Sequence, residues 1–275
     1  MVKYARYEFF VERMITMLQH VLRPFVQLTG NDTVSSVLQR FTRSPYSKCL
    51  VRPFHKAYAL NEREMTRPLD SFESLHDLFT RSIRQELRPI DDAPTSFVSP
   101  ADSVATSFGT LDTTDSFTIK GHTYSLTDLF GDEAHAAPYR EGSFAIFYLS
   151  PQHYHHFHYP VDGTIVNRYA LGNVSYPVNS LGLTYGDAPF KTNYRIITEL
   201  QTTYGRVAVV KVGALNVNTI DLYPSNGVAT KGDDFGFFSF GSTVVVLIDS
   251  TTPFHWTLSP DEDVRVGERV GQWDV

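Results

Sequence analysis

The stretch Lys231–Asp249, KGDDFGFFSFGSTVVVLID, sets the fold. Its first half, Lys231-Gly232-Asp233-Asp234-Phe235-Gly236, reads as a polar turn. Its second half, Val244-Val245-Val246-Leu247-Ile248, is apolar at every position and too short for a buried helix. It reads as a strand covered on both faces. Between them stands Gly241-Ser242-Thr243. Glycine permits backbone angles that other residues resist, so a strained bond can precede the serine. A β-bulge at a strand start accounts for the same tripeptide without chemistry.

Working outward, similar runs occupy Ser143–Leu149, Gly163–Tyr169, Tyr194–Thr203 and Arg206–Val212. They are rich in Val, Ile, Phe, Tyr and Thr and are bounded by Gly, Pro, Asn and Asp, as strands are. No long βα alternation is present, so an antiparallel sandwich or barrel is expected over a doubly wound sheet. The first third reads differently. Residues 4–22 carry Phe9, Phe10, Met14, Met17, Leu18, Val21 and Leu22 at helical steps, with Pro24 as the stop. Residues 32–42 predict a second helix, N-capped by Asp32 or Thr33. A third is predicted from Ser71 to about Leu87, before Pro89 and Pro94. The expected class is α+β: a helical region over 1–90, then a mainly antiparallel β sandwich or barrel-like domain over 91–275.

Charge is divided the same way. Residues 1–90 hold 14 Lys and Arg against 9 Asp and Glu, whereas the whole chain has a net charge of −6. A basic first third fits an anionic membrane surface or nucleic acid, and an ordinary solvated helix face fits it too. The stripe Phe9, Phe10, Met14 and Met17, beside Arg6, Arg13 and Arg23, could enter a lipid interface or a core. No apolar run approaches the roughly 20 residues needed to span a bilayer. Lys3, Arg6, Glu8, Glu12 and Arg13 argue against a signal peptide. The single cysteine, Cys49, excludes a disulfide scaffold.

Chemistry concentrates in Tyr148–Gly163, YLSPQHYHHFHYPVDG, with His153, His155, His156 and His158. Imidazoles serve as base and acid near neutral pH. Ser150-Pro151 favours a helical start, and on a helical turn His155 and His158 share a face. On a strand, His156 and His158 would pair instead. A metal site is the rival reading of four close histidines, without a cysteine or nearby carboxylate to support it. A His–Ser pair needs a carboxylate to orient the imidazole. Asp102, in Ser99-Pro100-Ala101-Asp102, is the candidate. Asp162 competes, although Asp162-Gly163 reads as a hairpin turn.

Together these stretches resemble the phosphatidylserine decarboxylase family. SFESLHDLFTRSIRQELRPI (71–90), VSPAD (98–102), the histidine segment, VGALNV (212–217), KGDDFGFFSFGSTVVVL (231–247) and VRVGERVG (264–271) follow the family's order over roughly residues 70–275. Ser103 stands where the family usually has glycine. Gln152-His153 replaces a basic–acidic pair. The resemblance implies that Ser242 attacks the Gly241 carbonyl, with His158 as base and Asp102 as its orienting partner. Ester formation, β-elimination and loss of ammonia would leave a pyruvoyl cofactor at position 242, a β chain of 1–241 and an α chain of 242–275. The ketone would form a Schiff base with phosphatidylserine, release CO2 and give phosphatidylethanolamine, with His155 returning the proton. No metal is expected. Expected partners are phosphatidylserine, an anionic membrane surface and the two associated chains, with a homodimer as an option and no nucleic acid. The expected location is peripheral, on the cytoplasmic face of a membrane. The alternatives are a pyruvoyl-dependent decarboxylase of a soluble amino acid and a non-catalytic lipid-binding relative.

Overall fold

The computed structural model describes residues 32–111, 116–119, 122–172, 189–213, 220–239 and 242–275. The helix expected over 4–22 lies outside the described residues. The described residues open with α1 (Asp32–Arg43), α2 (Val51–Ala57) and α3 (Leu75–Phe79), joined by short 3-10 turns. Val51, Leu60, Met65, Leu69, Phe72 and Leu78 pack these pieces into a small core of their own.

The long helix expected from Ser71 to Leu87 is not formed. Ser74 is the N-cap, its side chain accepting the Asp77 N–H, and the helix stops after one turn at Thr80. Beyond it Ile83 bridges Met65 in antiparallel fashion, and Arg81 turns inward to the Gln152 and His153 carbonyls. Tertiary partners on both sides of Thr80 override the helical period, as packing commonly overrides propensity.

The strands are β1 (Ser96–Val98), β2 (Ser103–Thr110), β3 (Ser116–Ile119), β4 (His122–Ser125), β5 (Ser143–Leu149), β6 (His156–His158), β7 (Gly163–Leu171) and β8 (Arg195–Thr202). They continue with β9 (Gly205–Gly213), β10 (Ile220–Leu222), β11 (Val228–Ala229), β12 (Asp234–Phe238), β13 (Ser242–Ile248), β14 (Phe254–Trp256), β15 (Glu262–Val264) and β16 (Arg269–Trp273). Short helices α4 (Leu126–Phe130), α5 (Glu133–Ala136) and α6 (Pro189–Thr192) lie between strands.

Eight strands form one sheet in the order β11-β7-β8-β9-β13-β5-β2-β15, antiparallel throughout. Two three-stranded sheets, β10-β12-β6 and β1-β16-β14, and the hairpin β3-β4 complete the architecture. This is the expected α+β class with an antiparallel sheet at its core. β13 lies inside the large sheet, between β9 and β5, and all seven of its residues are buried. Its side chains alternate between two cores. Val244, Val246 and Ile248 join Phe157, Phe235, Phe238 and Trp273 on one face. Val245 and Leu247 join Leu126, Phe130 and Tyr139 on the other. Two-sided burial explains the unbroken apolar run.

One glycine shapes the smaller sheet that carries the histidines. A Cβ at Gly236 would lie 2.2 Å from the Asp221 carbonyl oxygen and 2.7 Å from the Phe157 ring. Only a residue without a side chain lets β10, β12 and β6 close together here.

Candidate active site

Two chain paths bring the histidine segment to Ser242. Along the first, Leu149 at the end of β5 is the register partner of Ser242. The chain then turns at Ser150–His153, where the His153 N–H donates to the Ser150 carbonyl at 2.9 Å, and enters β6. Along the second, β6 pairs with β12, and the Phe238 N–H donates to the His155 carbonyl at 2.9 Å. Four residues later the chain reaches Ser242. The histidine turn and the serine are therefore joined through neighbours at both ends.

The local conformation corrects the expected helical turn. His156–His158 is a short strand, so His155 and His158 do not share a helix face. His156 and His158 both lie against the Tyr154 ring, at centroid distances of 4.6 and 5.8 Å. His155 instead packs on Phe79 at 3.9 Å. Pairing with β12 satisfies the backbone of this segment better than an isolated turn would. His156 is engaged by Asp234 at 2.7 Å and by the Thr80 carbonyl at 3.2 Å. Among the described residues no cluster of three or more His, Cys, Asp or Glu could hold a metal ion.

His155 and His158 are nonetheless prepared alike. His155 Nδ1–H donates to the His153 carbonyl at 2.9 Å, and His158 Nδ1–H donates to the Gly232 carbonyl at 2.7 Å. Each bond fixes the tautomer and leaves Nε2 as a lone pair. Neither Nε2 has a partner among the described residues, and neither has the Ser242 Oγ, although all three atoms are buried. Each such atom costs about 1–3 kcal/mol, so an unmatched set calls for a functional account.

Burial holds His155 well below the ordinary imidazole range, with the Arg81 charge adding to the effect. Burial also lowers His158, against the opposing pull of Asp234 and Asp102. Both are neutral bases at pH 7. Because their folded pKa values are depressed, the unfolded chain takes up more protons as acid is added. Their contribution is present above the unfolded value of about 6.5 and is lost as pH falls from there toward the folded values. Two groups give a slope of up to ~2.7 kcal/mol per pH unit. Urea denaturation of the uncut chain at stepped pH values should show stability falling below pH 6.5; a flat profile there would contradict the buried neutral pair.

Among the described residues Asp102 makes no hydrogen bond to His158, whose Nδ1 is held by the Gly232 carbonyl. Its carboxylate accepts Arg88 Nε at 2.9 Å, Arg88 Nη2 at 2.5 Å and the Val266 N–H at 2.9 Å. The fork geometry of a guanidinium saturates a carboxylate in a way an imidazole cannot. The Ser99–Asp102 segment still runs beside His158, whose N–H donates to the Pro100 carbonyl at 2.7 Å. The competing Asp162 accepts the Lys231 N–H at 2.7 Å and serves a turn.

Arg88 is the residue that sequence reasoning passed over. It also reaches Glu64 at 2.7 Å. Burial works against its charge, but the bonds and charges of Asp102 and Glu64 prevail and raise its pKa. It borders a cavity of about 50 Å³ with His158, Tyr154 and Gly232. It also lines a cavity of about 270 Å³ together with Arg81, Asp102, His153 and Arg265, among others. Separations of 24 and 14 residues to its two partners leave no local sequence signal.

A family model described as phosphatidylserine decarboxylase matches residues 75–272. Three relatives carry the name phosphatidylserine decarboxylase proenzyme. That of Halalkalibacterium halodurans is 42% identical over 247 residues, 90% of this chain and 95% of its own. That of Anoxybacillus flavithermus is 42% identical over 256 residues, 93% of this chain and 97% of its own. That of a Geobacillus species is 40% identical over 257 residues, 93% of this chain and 99% of its own. With a match spanning sheet, histidine turn and Gly-Ser junction alike, the chain belongs to the phosphatidylserine decarboxylase family.

Proposed function

We propose that this chain cuts itself between Gly241 and Ser242 and then decarboxylates phosphatidylserine to phosphatidylethanolamine at a membrane surface. The observation that carries this reading is the trio of buried, unpartnered atoms, Ser242 Oγ, His155 Nε2 and His158 Nε2. The family is pyruvoyl-dependent. Ser242 fits as the source, since its hydroxyl is inaccessible to water and has no competing hydrogen bond among the described residues. The pyruvoyl ketone supplies an electron sink for the charge left when CO2 departs.

His158 is the proposed base for Ser242, oriented by the Gly232 carbonyl. Attack of Oγ on the Gly241 carbonyl moves the acyl group from nitrogen to oxygen, and the Ser242 hydroxyl proton passes to the imidazole. Asp102 contributes at a distance, because its charge, like that of Asp234, favours the imidazolium that forms. His155 is the proposed donor that returns a proton to the substrate carbon. The apolar wall of Phe79 at its ring keeps water away from that carbon.

Among the described residues no helix is long and apolar enough to cross a membrane. A peripheral, cytoplasmic-face location is the reading we favour. Val37, Phe41, Tyr46 and Leu50 are exposed in the helical region, among Arg40, Arg43 and Lys48. Apolar side chains beside cations suit an anionic lipid surface. The two products of the cut are expected to stay associated, since β13, β15 and β16 pair with β5, β9, β2 and β1.

Mass spectrometry of the purified protein tests the reading. The expected result is two fragments dividing at 241/242, the smaller blocked at its N-terminus and lighter by one ammonia. A single intact chain would overturn it. Turnover of phosphatidylserine vesicles but not of free amino acids is expected; the reverse would favour a soluble substrate.

A further inference from the structure

Ser239 lies three residues before Ser242 and is fully buried. Its hydroxyl donates to Asp221 Oδ2 at 3.2 Å. It accepts from His76 Nε2 at 3.1 Å and from Arg43 Nη2 at 3.4 Å. A hydroxyl has one proton and two lone pairs, so this oxygen is saturated. Because its proton goes to Asp221, His76 must present Nε2–H. Burial, then the neighbouring Arg43 charge, lowers the His76 pKa, in keeping with a neutral ring.

Four segments meet at this one atom: the last turn of α1, α3, β10 and the strand end that leads to the Gly-Ser junction. Downstream, β5 and β9 fix Ser242 in register from both sides. Upstream, the His155 carbonyl holds Phe238. Among the described residues Ser239 is the last before the junction, and only two residues separate it from the nucleophile. A serine that attacks the carbonyl just before it needs both atoms held, since misplacement by about 1 Å costs ~100-fold in rate. β13 fixes the backbone of Ser242; the carbonyl to be attacked belongs to the preceding residue, on the Ser239 side.

We propose that Ser239, gripped by Arg43, His76 and Asp221, is a positioning residue for self-scission. The helical region thereby takes part in maturation and does more than cover the sheet. This rests on the proposed cut at 241/242, and the two ideas fail separately: an uncut wild-type chain sinks the cut, whereas the hub is judged against a wild type that does cut.

The experiment is cell-free synthesis of the full chain, followed by scission on denaturing gels. Ser239→Ala should slow scission ~10- to 100-fold. Ser239→Thr, which keeps the hydroxyl, should restore it to within about threefold. Hydroxylamine, which cleaves esters, should release no fragments from the Ser239→Ala chain, because the acyl shift itself is what stalls. A merely structural hydroxyl would leave the ester forming normally. Wild-type scission in Ser239→Ala, equal slowing in Ala and Thr variants, or full release by hydroxylamine would each overturn the proposal. If Ser239→Ala does not fold, His76→Gln and Asp221→Asn loosen the hub from outside. Each should slow scission several-fold, and wild-type rates in both would overturn it.

Discussion

Ser242→Ala will migrate as one uncut chain and release no CO2 from phosphatidylserine. Alanine has no nucleophile to move the acyl group and no leaving oxygen to eliminate, so neither the break nor the ketone can form. The loss should reach the detection limit, at least ~10⁴-fold. Folding should not suffer. The Ser242 Oγ is a buried atom with no partner among the described residues, so its removal takes away a cost of about 1–3 kcal/mol rather than a bond. Denaturing gels, carbonyl labelling and thermal melting check all three statements. Turnover by this variant would sink the proposed chemistry, and a large drop in melting temperature would show that the hydroxyl is structural.

Arg88→Met should be the most destabilising of the single changes considered. It strands two carboxylates, Asp102 and Glu64, that the guanidinium now neutralises behind a 6% exposed side chain. Breaking a buried pair by removing one partner costs about 3–5 kcal/mol. In a chain of this size that corresponds to a melting temperature lower by roughly 10 °C. The measurement belongs in the Ser242→Ala background, where one covalent chain unfolds. Adding Asp102→Asn should recover part of the loss, since the double change removes one of the two stranded charges and leaves that of Glu64. A drop below ~1 kcal/mol would mean that water reaches the pair.

The sequence was most legible where burial is two-sided. Ser143–Leu149 was read to the residue, and Val244–Ile248 falls within β13, because strands enclosed by two cores must be apolar throughout. Reading failed where partners are distant. The pattern Phe72, Leu75, Leu78, Phe79, Ile83 keeps a helical period, yet Met65 and the carbonyls of the histidine turn pull the chain out of helix after Phe79. The histidine turn took a strand form because β12, some eighty residues onward, offered it a ladder. The residues His155, His158, Asp102 and Ser242 were all visible as chemistry-bearing types. The Gly232 carbonyl that orients His158 and the guanidinium that captures Asp102 were not, since a backbone oxygen has no signature and the Arg88 contacts bridge separate elements.

The interior position of β13 orders events in time. A strand hemmed by two others cannot be threaded into a finished sheet, so it must be laid down while still tethered to β12. Folding therefore comes before the break, and the break certifies that folding succeeded. Once severed and denatured, the pieces would have to meet again as a second-order encounter, each exposing the apolar faces that the other had covered. Maturation of this kind runs in one direction only, and a mature molecule unfolded in dilute solution should stay inactive where its uncut precursor refolds.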